Sequence, residues 1–207
     1  ELRIDEVAEP TLGPRDVLVE VHAASVNPID TKIRAGYQRA VVRKTLPTTL
    51  GLDVAGVVAA VGAEATRFAV GDAVYSSPTH RREGTYAEYV AIDEKQVARS
   101  PEGLSHLEAA TLPLVGLTAW RCLVQTARLA RGERLFVQAG SGGVGAFAIQ
   151  LGKHQGAEVA TTTSSRNAEL VRELGADRVI DYTAERYDQV LADYDVALES
   201  LGGEHKA

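Results

Sequence analysis

A chain of 207 residues is long for one domain and short for two complete ones, so a boundary is expected within it. With 45% apolar and 24% charged residues it has the composition of an ordinary globular protein rather than a disordered or low-complexity one. The net charge of −6 and a pI near 5.4, with no basic cluster beyond Arg81-Arg82, argue against a nucleic-acid or anionic-membrane surface and leave a small neutral or redox partner.

The opening residues 1–10 are acidic and alternating, with no apolar signal-peptide segment, and the chain contains no methionine, so Glu1 is not expected to be the translational start. The longest purely apolar and glycine run, 54–62, falls far short of a membrane span. A single Cys122 cannot close an internal disulfide. Together these lead to the expectation of a soluble protein in a reducing compartment, the cytoplasm.

Residues 1–108 read as short strands, 16–26, 53–62, 72–77 and 85–92, separated by glycine, proline and aspartate, which predicts an all-β domain. Near residue 108 the pattern changes. Ser105 and Glu108 have the spacing of a capping box, and Pro113 interrupts the run before a helix expected over 118–128. There follow strand 135–139, helix 143–155, strand 158–162, helix 167–174, strand 178–181, a short helix near 184–191 and strand 194–199. Strands alternating with helices predict an α/β unit with a parallel sheet over 109–207. A complete doubly wound dinucleotide domain has six strands in the order 3-2-1-4-5-6, so the C-terminal part of the fold is expected to be missing and the sheet edge open. The segments 76–84 and 200–207 read as loops.

The most informative stretch is "AGSGGVGAFAIQLG", 139–152. Gly140 and Gly145 alone would open a P-loop, but that motif needs Lys and Ser/Thr next, for the phosphates and the magnesium, and Ala146 and Phe147 supply neither. With Gly142 the spacing is G-x-G-x-x-G, between an apolar strand and a helix as a dinucleotide fingerprint requires. Gly140 is expected to permit the tight turn, Gly142 to bring a pyrophosphate against bare amides at the positive helix terminus, and Gly145 to let helix and strand approach. At the end of the second strand an NAD site presents Asp or Glu to the ribose. Here the sequence is "VATTTSSRN", so uncharged Thr161 to Ser165 and then Arg166 favour NADP(H).

A zinc ion is a common partner of nicotinamide chemistry, but one cysteine and five histidines (22, 80, 106, 154, 205), without H-x-x-x-H or C-x-x-C spacing, form no evident ligand set. No G-x-S-x-G elbow is present.

The segments "SVNPIDTKIRAGY" (25–37), "GLDVAGVVAAVG" (51–62), "GDAVY" (71–75), "GTYAEYV" (84–90), "LPLVGLTAW" (112–120) and "AGSGGVGAFAIQLGK" (139–153) arrive in family order. They resemble the zinc-independent quinone oxidoreductases, zeta-crystallin among them, of the medium-chain dehydrogenase/reductase superfamily. The resemblance implies a GroES-like β domain over 1–108 and a Rossmann domain over 109–207, with NADPH in the cleft between them. It also implies a quinone or enone substrate and a homodimer. Where zinc-dependent members carry a Cys-His pair this chain has Asn27-Pro28, and where they carry Gly-His-Glu it has Gly51-Leu52-Asp53, so no metal is implied. Asn27 would face the nicotinamide and substrate carbonyl, and Thr118 the nicotinamide ribose. Ser141, Gly142, Gly143 and Val144 would hold the pyrophosphate, Ser164 and Arg166 the 2′-phosphate, and Tyr182 the adenosine. Lys32 stands where several members have tyrosine, and Tyr37 is the nearest aromatic substitute. Both are candidates to act on a substrate oxygen. The activity so implied is direct hydride transfer from NADPH to a quinone or related acceptor, in which positioning replaces covalent catalysis. Its alternatives are an enoyl or alkenal reductase and a non-catalytic NADPH-binding protein.

Overall fold

The computed structural model describes residues 2–37, 46–79 and 82–201; His80, Arg81, His205 and parts of both expected loops lie outside them. The chain divides into two compact units between Leu114 and Val115, a few residues beyond the change of sequence pattern near 108.

The first unit contains β1 (Asp16–Ala23), α1 (Pro28–Arg34), β2 (Val54–Val61), β3 (Ala73–Ser76), β4 (Tyr89–Asp93), a 3-10 turn (Glu94–Gln96), β5 (Val97–Arg99) and α2 (His106–Ala109). The strands form one antiparallel sheet in the order β4-β1-β2-β3-β5. Alternation sets its core: Val17 and Val19 of β1 are buried, the former paired with Val61 and Ile92, the latter with Val58 and Val90, while Glu20 faces water.

Two expectations are corrected here. The region is not all-β, because Asn27 and Pro28 open a helix: Asn27 is the N-cap, proline takes the first position, where its missing N–H costs nothing, and Asp30 sits at the third. Residues 85–88 are not strand, since Thr85 and Tyr86 turn aside into the polar cluster described below. The capping box at Ser105 and Glu108 is present.

Pro113 begins a helix, α3 (Pro113–Trp120), rather than interrupting one, and α3 runs on into a π-helical turn, Arg121–Thr126. By length and composition alone the stretch His106–Thr126 could cross a membrane, which the count of purely apolar residues overlooked. The chain breaks it at residues 110–112.

The second unit holds β6 (Arg134–Val137), α4 (Gly143–Gln155), β7 (Glu158–Thr163), a 3-10 turn (Ser165–Asn167), α5 (Ala168–Glu173), β8 (Arg178–Asp181), α6 (Tyr187–Val190) and β9 (Val196–Leu198). The sheet is parallel, ordered β8-β7-β6-β9, which is the 3-2-1-4 order of a doubly wound fold. Both faces are covered, as a parallel sheet requires: Leu135, Val137 and Val159 pack with Ala148 and Ile149 of α4, and Phe136, Ala160 and Ile180 pack beneath Tyr187 and Tyr194.

The turn from β6 to α4 is built differently from the sequence expectation. The left-handed residue is Ala139, at φ 56°, not Gly140. Gly140 is required for space: a Cβ there would run into the Thr161 hydroxyl and come within 2.9 Å of Ile149. A Cβ on Gly145 would strike the Ala139 carbonyl, so this glycine lets α4 lie directly on the turn, as expected.

Two tests follow from this packing. Gly140→Ala should lower the unfolding free energy by about 1–3 kcal/mol, while Ala139→Gly, relieving a left-handed alanine, should raise it by up to about 1 kcal/mol; urea titration reads both. In the first unit His106 of α2 packs on His22 of β1, ring centroids 4.6 Å apart, with its Nδ1 buried and without a hydrogen-bond partner among the described residues. Burial first, and His22 second, hold its pKa below the ordinary histidine value. The neutral ring is therefore favoured on folding, and the contribution is intact above the unfolded value and lost as pH falls through the folded one. The thermal midpoint should drop as pH falls below the ordinary histidine value of about 6.5, and His106→Gln should flatten that drop; an equal drop in the variant would refute the assignment.

Candidate functional site

In the second unit the candidate residues gather at the carboxyl edge of the sheet, where doubly wound folds take ligands. The first turn of α4 has no acidic residue, and its cap, Gly142, offers no side chain to the helix amides. The N–H groups of Gly143, Val144 and Gly145 therefore have no partner from the helix itself. Gly142 and Gly143 are exposed. The start of this thirteen-residue helix, with glycine at the cap and at the first position, suits an anion.

Ser141 completes it. Its Oγ accepts from Thr163 Oγ1 at 2.9 Å and from Asn167 Nδ2 at 3.2 Å. A hydroxyl that accepts twice has its own proton left to donate. Val115 of α3 lies over Gly143, 3.0 Å from where a Cβ would stand, and half-buried Thr118 follows it by three residues on the same helix.

The threonines of β7 have a role that periodicity does not reveal. Thr161 Oγ1 donates to the Val137 carbonyl (2.7 Å), Thr162 Oγ1 accepts from the Ala139 N–H (3.0 Å), and Thr163 reaches Ser141. All three are buried. They brace the glycine turn, so the uncharged groups of this strand end that remain for a ligand begin at half-buried Ser164. Arg166 is exposed on the following 3-10 turn, and no ion pair engages it among the described residues. Tyr182 is exposed just beyond β8, its N–H bonded to the Thr163 carbonyl. Asp181 beside it is held below the ordinary carboxylate range by Thr183 and then by Ser165, and its Oδ1 already accepts from the Thr183 N–H and hydroxyl.

The first unit carries a different kind of site, a buried polar cluster at the head of α1. Asp53, wholly buried at the start of β2, accepts from Ser25 Oγ (2.6 Å) and Asn27 Nδ2 (2.8 Å) through Oδ2, and from the Leu114 N–H (2.8 Å) through Oδ1. Its carbonyl accepts from Thr85 Oγ1. Asp30, also buried, accepts from the Asn27 N–H and the Tyr86 hydroxyl through Oδ2, while its Oδ1 has no partner among the described residues. Burial raises the pKa of Asp53, opposed by Ser25, Asn27 and Leu114, and Asp30 adds to the rise. Partial burial and the Asp30 carboxylate also raise that of Tyr86.

Of the three residues expected around the substrate, only Asn27 belongs to this cluster. Lys32 is exposed on α1, and Tyr37, 82% exposed, follows its C-terminus. Asp30, Asp53, Thr85 and Tyr86 were missed as site residues. An aspartate opening an apolar strand, in "GLDVAG", and the Asn-Pro-x-Asp cap were the available signals. Among the described residues no group of three His, Cys, Asp or Glu is placed to hold a metal.

Residues 13–102 match the family profile described as alcohol dehydrogenase GroES-like domain, and 143–206 the one described as zinc-binding dehydrogenase. A mitochondrial NAD(P)H oxidoreductase of Mus musculus is 39% identical over 92% of this chain and 53% of its own length. An NADPH-dependent alkenal/one oxidoreductase, chloroplastic, of Arabidopsis thaliana is 40% identical over 95% and 52%. Among solved structures, the quinone oxidoreductase from Coxiella burnetii superposes with a TM-score of 0.88 at 35% identity, over 96% of this chain and 63% of that one. The chain spans about half the length of the curated relatives it matches. A GroES-like half, a 3-2-1-4 parallel sheet and these matches agree, and the chain belongs to the medium-chain dehydrogenase/reductase superfamily, in the group that includes its quinone oxidoreductases.

Proposed function

We propose that this chain belongs to an NADPH-dependent, metal-free oxidoreductase that passes a hydride to a quinone or a related α,β-unsaturated carbonyl. The observation that carries the reading is the bare helix terminus at Gly142–Gly145, with Arg166 rather than a carboxylate after the neighbouring strand. A dinucleotide fits this donor set. The amides of Gly143 and Val144 and the hydroxyl of Ser141 suit a pyrophosphate, and Gly140 and Gly145 give the turn its shape. Ser164 and Arg166 suit a 2′-phosphate, which the carboxylate of an NAD site would repel. Thr118 and Tyr182 are assigned the ribose and adenosine contacts.

When bound, the reduced nicotinamide supplies a hydride, and the acceptor takes a proton from water. Asn27 orients the acceptor, and exposed Lys32 and Tyr37 lie where solvent can replenish a proton they give up. Neither a carboxylate pair nor an activated nucleophile is required, because bringing reacting atoms to about 3–3.5 Å does the main part of the work. The metal-free reading is supported by the use of Asn27 and Asp53, which bond each other. An alkenal or enoyl thioester acceptor is the second reading, favoured by the name of the Arabidopsis relative. The single free Cys122 suits a reducing compartment, which we take to be the cytoplasm, although the named relatives are mitochondrial and chloroplastic. A small-molecule acceptor and a homodimer complete the proposal.

Titration of cofactor fluorescence should show NADPH bound at least about tenfold more tightly than NADH, and Arg166→Ala should remove most of that preference, the effect of one lost charge-assisted bond. Equal affinity in the parent chain would refute the phosphate assignment. Steady-state oxidation of NADPH with 1,4-benzoquinone against a crotonyl thioester decides the acceptor class. Tight binding without oxidation by either would leave a non-catalytic NADPH-binding protein.

A further inference from the structure

Asparagine is a favoured N-cap because its side-chain oxygen can take the N–H groups that open a helix. Asn167 stands at the N-cap of α5 and makes no such bond. Its side chain goes elsewhere: Nδ2 lies 3.2 Å from Ser141 Oγ, in the glycine turn 26 residues earlier. The link needs only reach, since a hydroxyl can meet either end of an amide. Leaving α5 uncapped forgoes local stability, so what the bond connects is informative.

Ser141 Oγ is a junction of three segments. Thr163, buried at the end of β7, meets it at 2.9 Å and ties the glycine turn to the sheet. Asn167 ties the same oxygen to the 3-10 turn Ser165–Asn167, which the Asn167 N–H closes on the Ser164 carbonyl at 3.0 Å. Ser165 of that turn also meets Asp181 at the end of β8. Arg166 stands in the chain between these two anchored residues, and it is exposed.

We propose that Asn167 is a positioning residue for the choice of NADPH over NADH: through Ser141 it sets the spacing between Arg166 and the amides that open α4. This rests on the reading above, which gives the pyrophosphate to those amides and the 2′-phosphate to Ser164 and Arg166. In NADPH both groups hang on one ribose, so covalent bonds limit their separation and a protein that binds both has to match it. An exposed arginine on an untethered turn would have to be ordered at each binding event, which weakens the contact it makes. Tethered to Ser141, the turn offers Arg166 from a fixed base. NADH lacks the 2′-phosphate and is indifferent to where Arg166 stands, and Thr163 still holds Ser141 when Asn167 is replaced. Asn167 therefore acts on the preference and not on dinucleotide binding as a whole.

Asn167→Ser separates this role from that of a helix cap, because serine caps about as well as asparagine while its hydroxyl ends a bond short of Nδ2. Fluorescence titration of the full chain should show NADPH bound about three- to tenfold more weakly in Asn167→Ser, the effect of one hydrogen bond, with NADH affinity and the thermal midpoint unchanged. In a Ser141→Ala background, where the partner is gone, Asn167→Ser should leave the preference as it finds it. If Asn167→Ser does not fold, Asn167→Thr, a second short cap residue, carries the same comparison. A parent chain that prefers NADPH and a variant that prefers it equally would overturn the proposal at Asn167. An equal loss of affinity for both cofactors, or an undiminished effect in the Ser141→Ala background, would do the same. A parent chain indifferent to the 2′-phosphate would instead overturn the proposal through the reading it rests on.

Discussion

The close approach of α4 to the end of β6 is the constraint on which the second unit depends. With no side chain at Gly140 or Gly145, the Ala139 carbonyl and the Thr161 hydroxyl occupy space that a Cβ would fill, and the helix begins directly over the strand end. Further along, Gly152 does the same over Leu135 and Val159. A helix seated this tightly has a fixed axis, and so its unpartnered amides point in a fixed direction. The threonines of β7 brace the turn from the other side, through the Val137 carbonyl, the Ala139 N–H and Ser141. An anion at this edge would meet donors already in place, which lowers the ordering that binding requires.

The first unit solves a harder problem. Asp30 and Asp53 are carboxylates taken out of water, and the side chains in contact with them donate hydrogen bonds rather than full positive charges. Burying a charge is unfavourable unless donors replace the water it loses, and even then stability gains little. What such an arrangement secures is geometry. Each donor of the cluster has an acceptor that suits it, Ser25 and Asn27 on Asp53 and Tyr86 on Asp30, so these side chains have few alternative orientations. Apolar residues of similar size would give a more stable sheet end, but they would leave Asn27 free to turn.

The sequence made these two sites legible to different degrees. G-x-G-x-x-G between an apolar strand and a helix is a local pattern, and so the strand, the turn and α4 are readable from adjacent residues, as is the succession of four parallel strands. What glycine spacing does not disclose is which residue takes the left-handed conformation. Ala139 takes it because β6 has to turn before Gly140, where Thr161 leaves no room for a side chain. The polar cluster was largely hidden for another reason: its members, from residues 25, 53 and 85 onward, meet only after the sheet forms. The α1 helix was readable in principle from the asparagine cap, the proline at the first position and the acid at the third. It was masked by the β-rich composition around it.

The resemblance aligns Asn27-Pro28 with a Cys-His pair and Gly51-Leu52-Asp53 with Gly-His-Glu of zinc-dependent relatives. In this chain the polar groups at those two places are bonded to each other at 2.8 Å, in the cluster that also orders Ser25 and takes the Leu114 N–H. A cation introduced there would compete with three donors for Asp53, and one of them is the amide whose orientation depends on it. The contacts that ligands would make to an ion are therefore made between side chains. Under the proposed metal-free reading no new scaffold is needed: the strand and the helix cap are ordered by a carboxylate–amide bond where a metal-binding relative would order them by coordination.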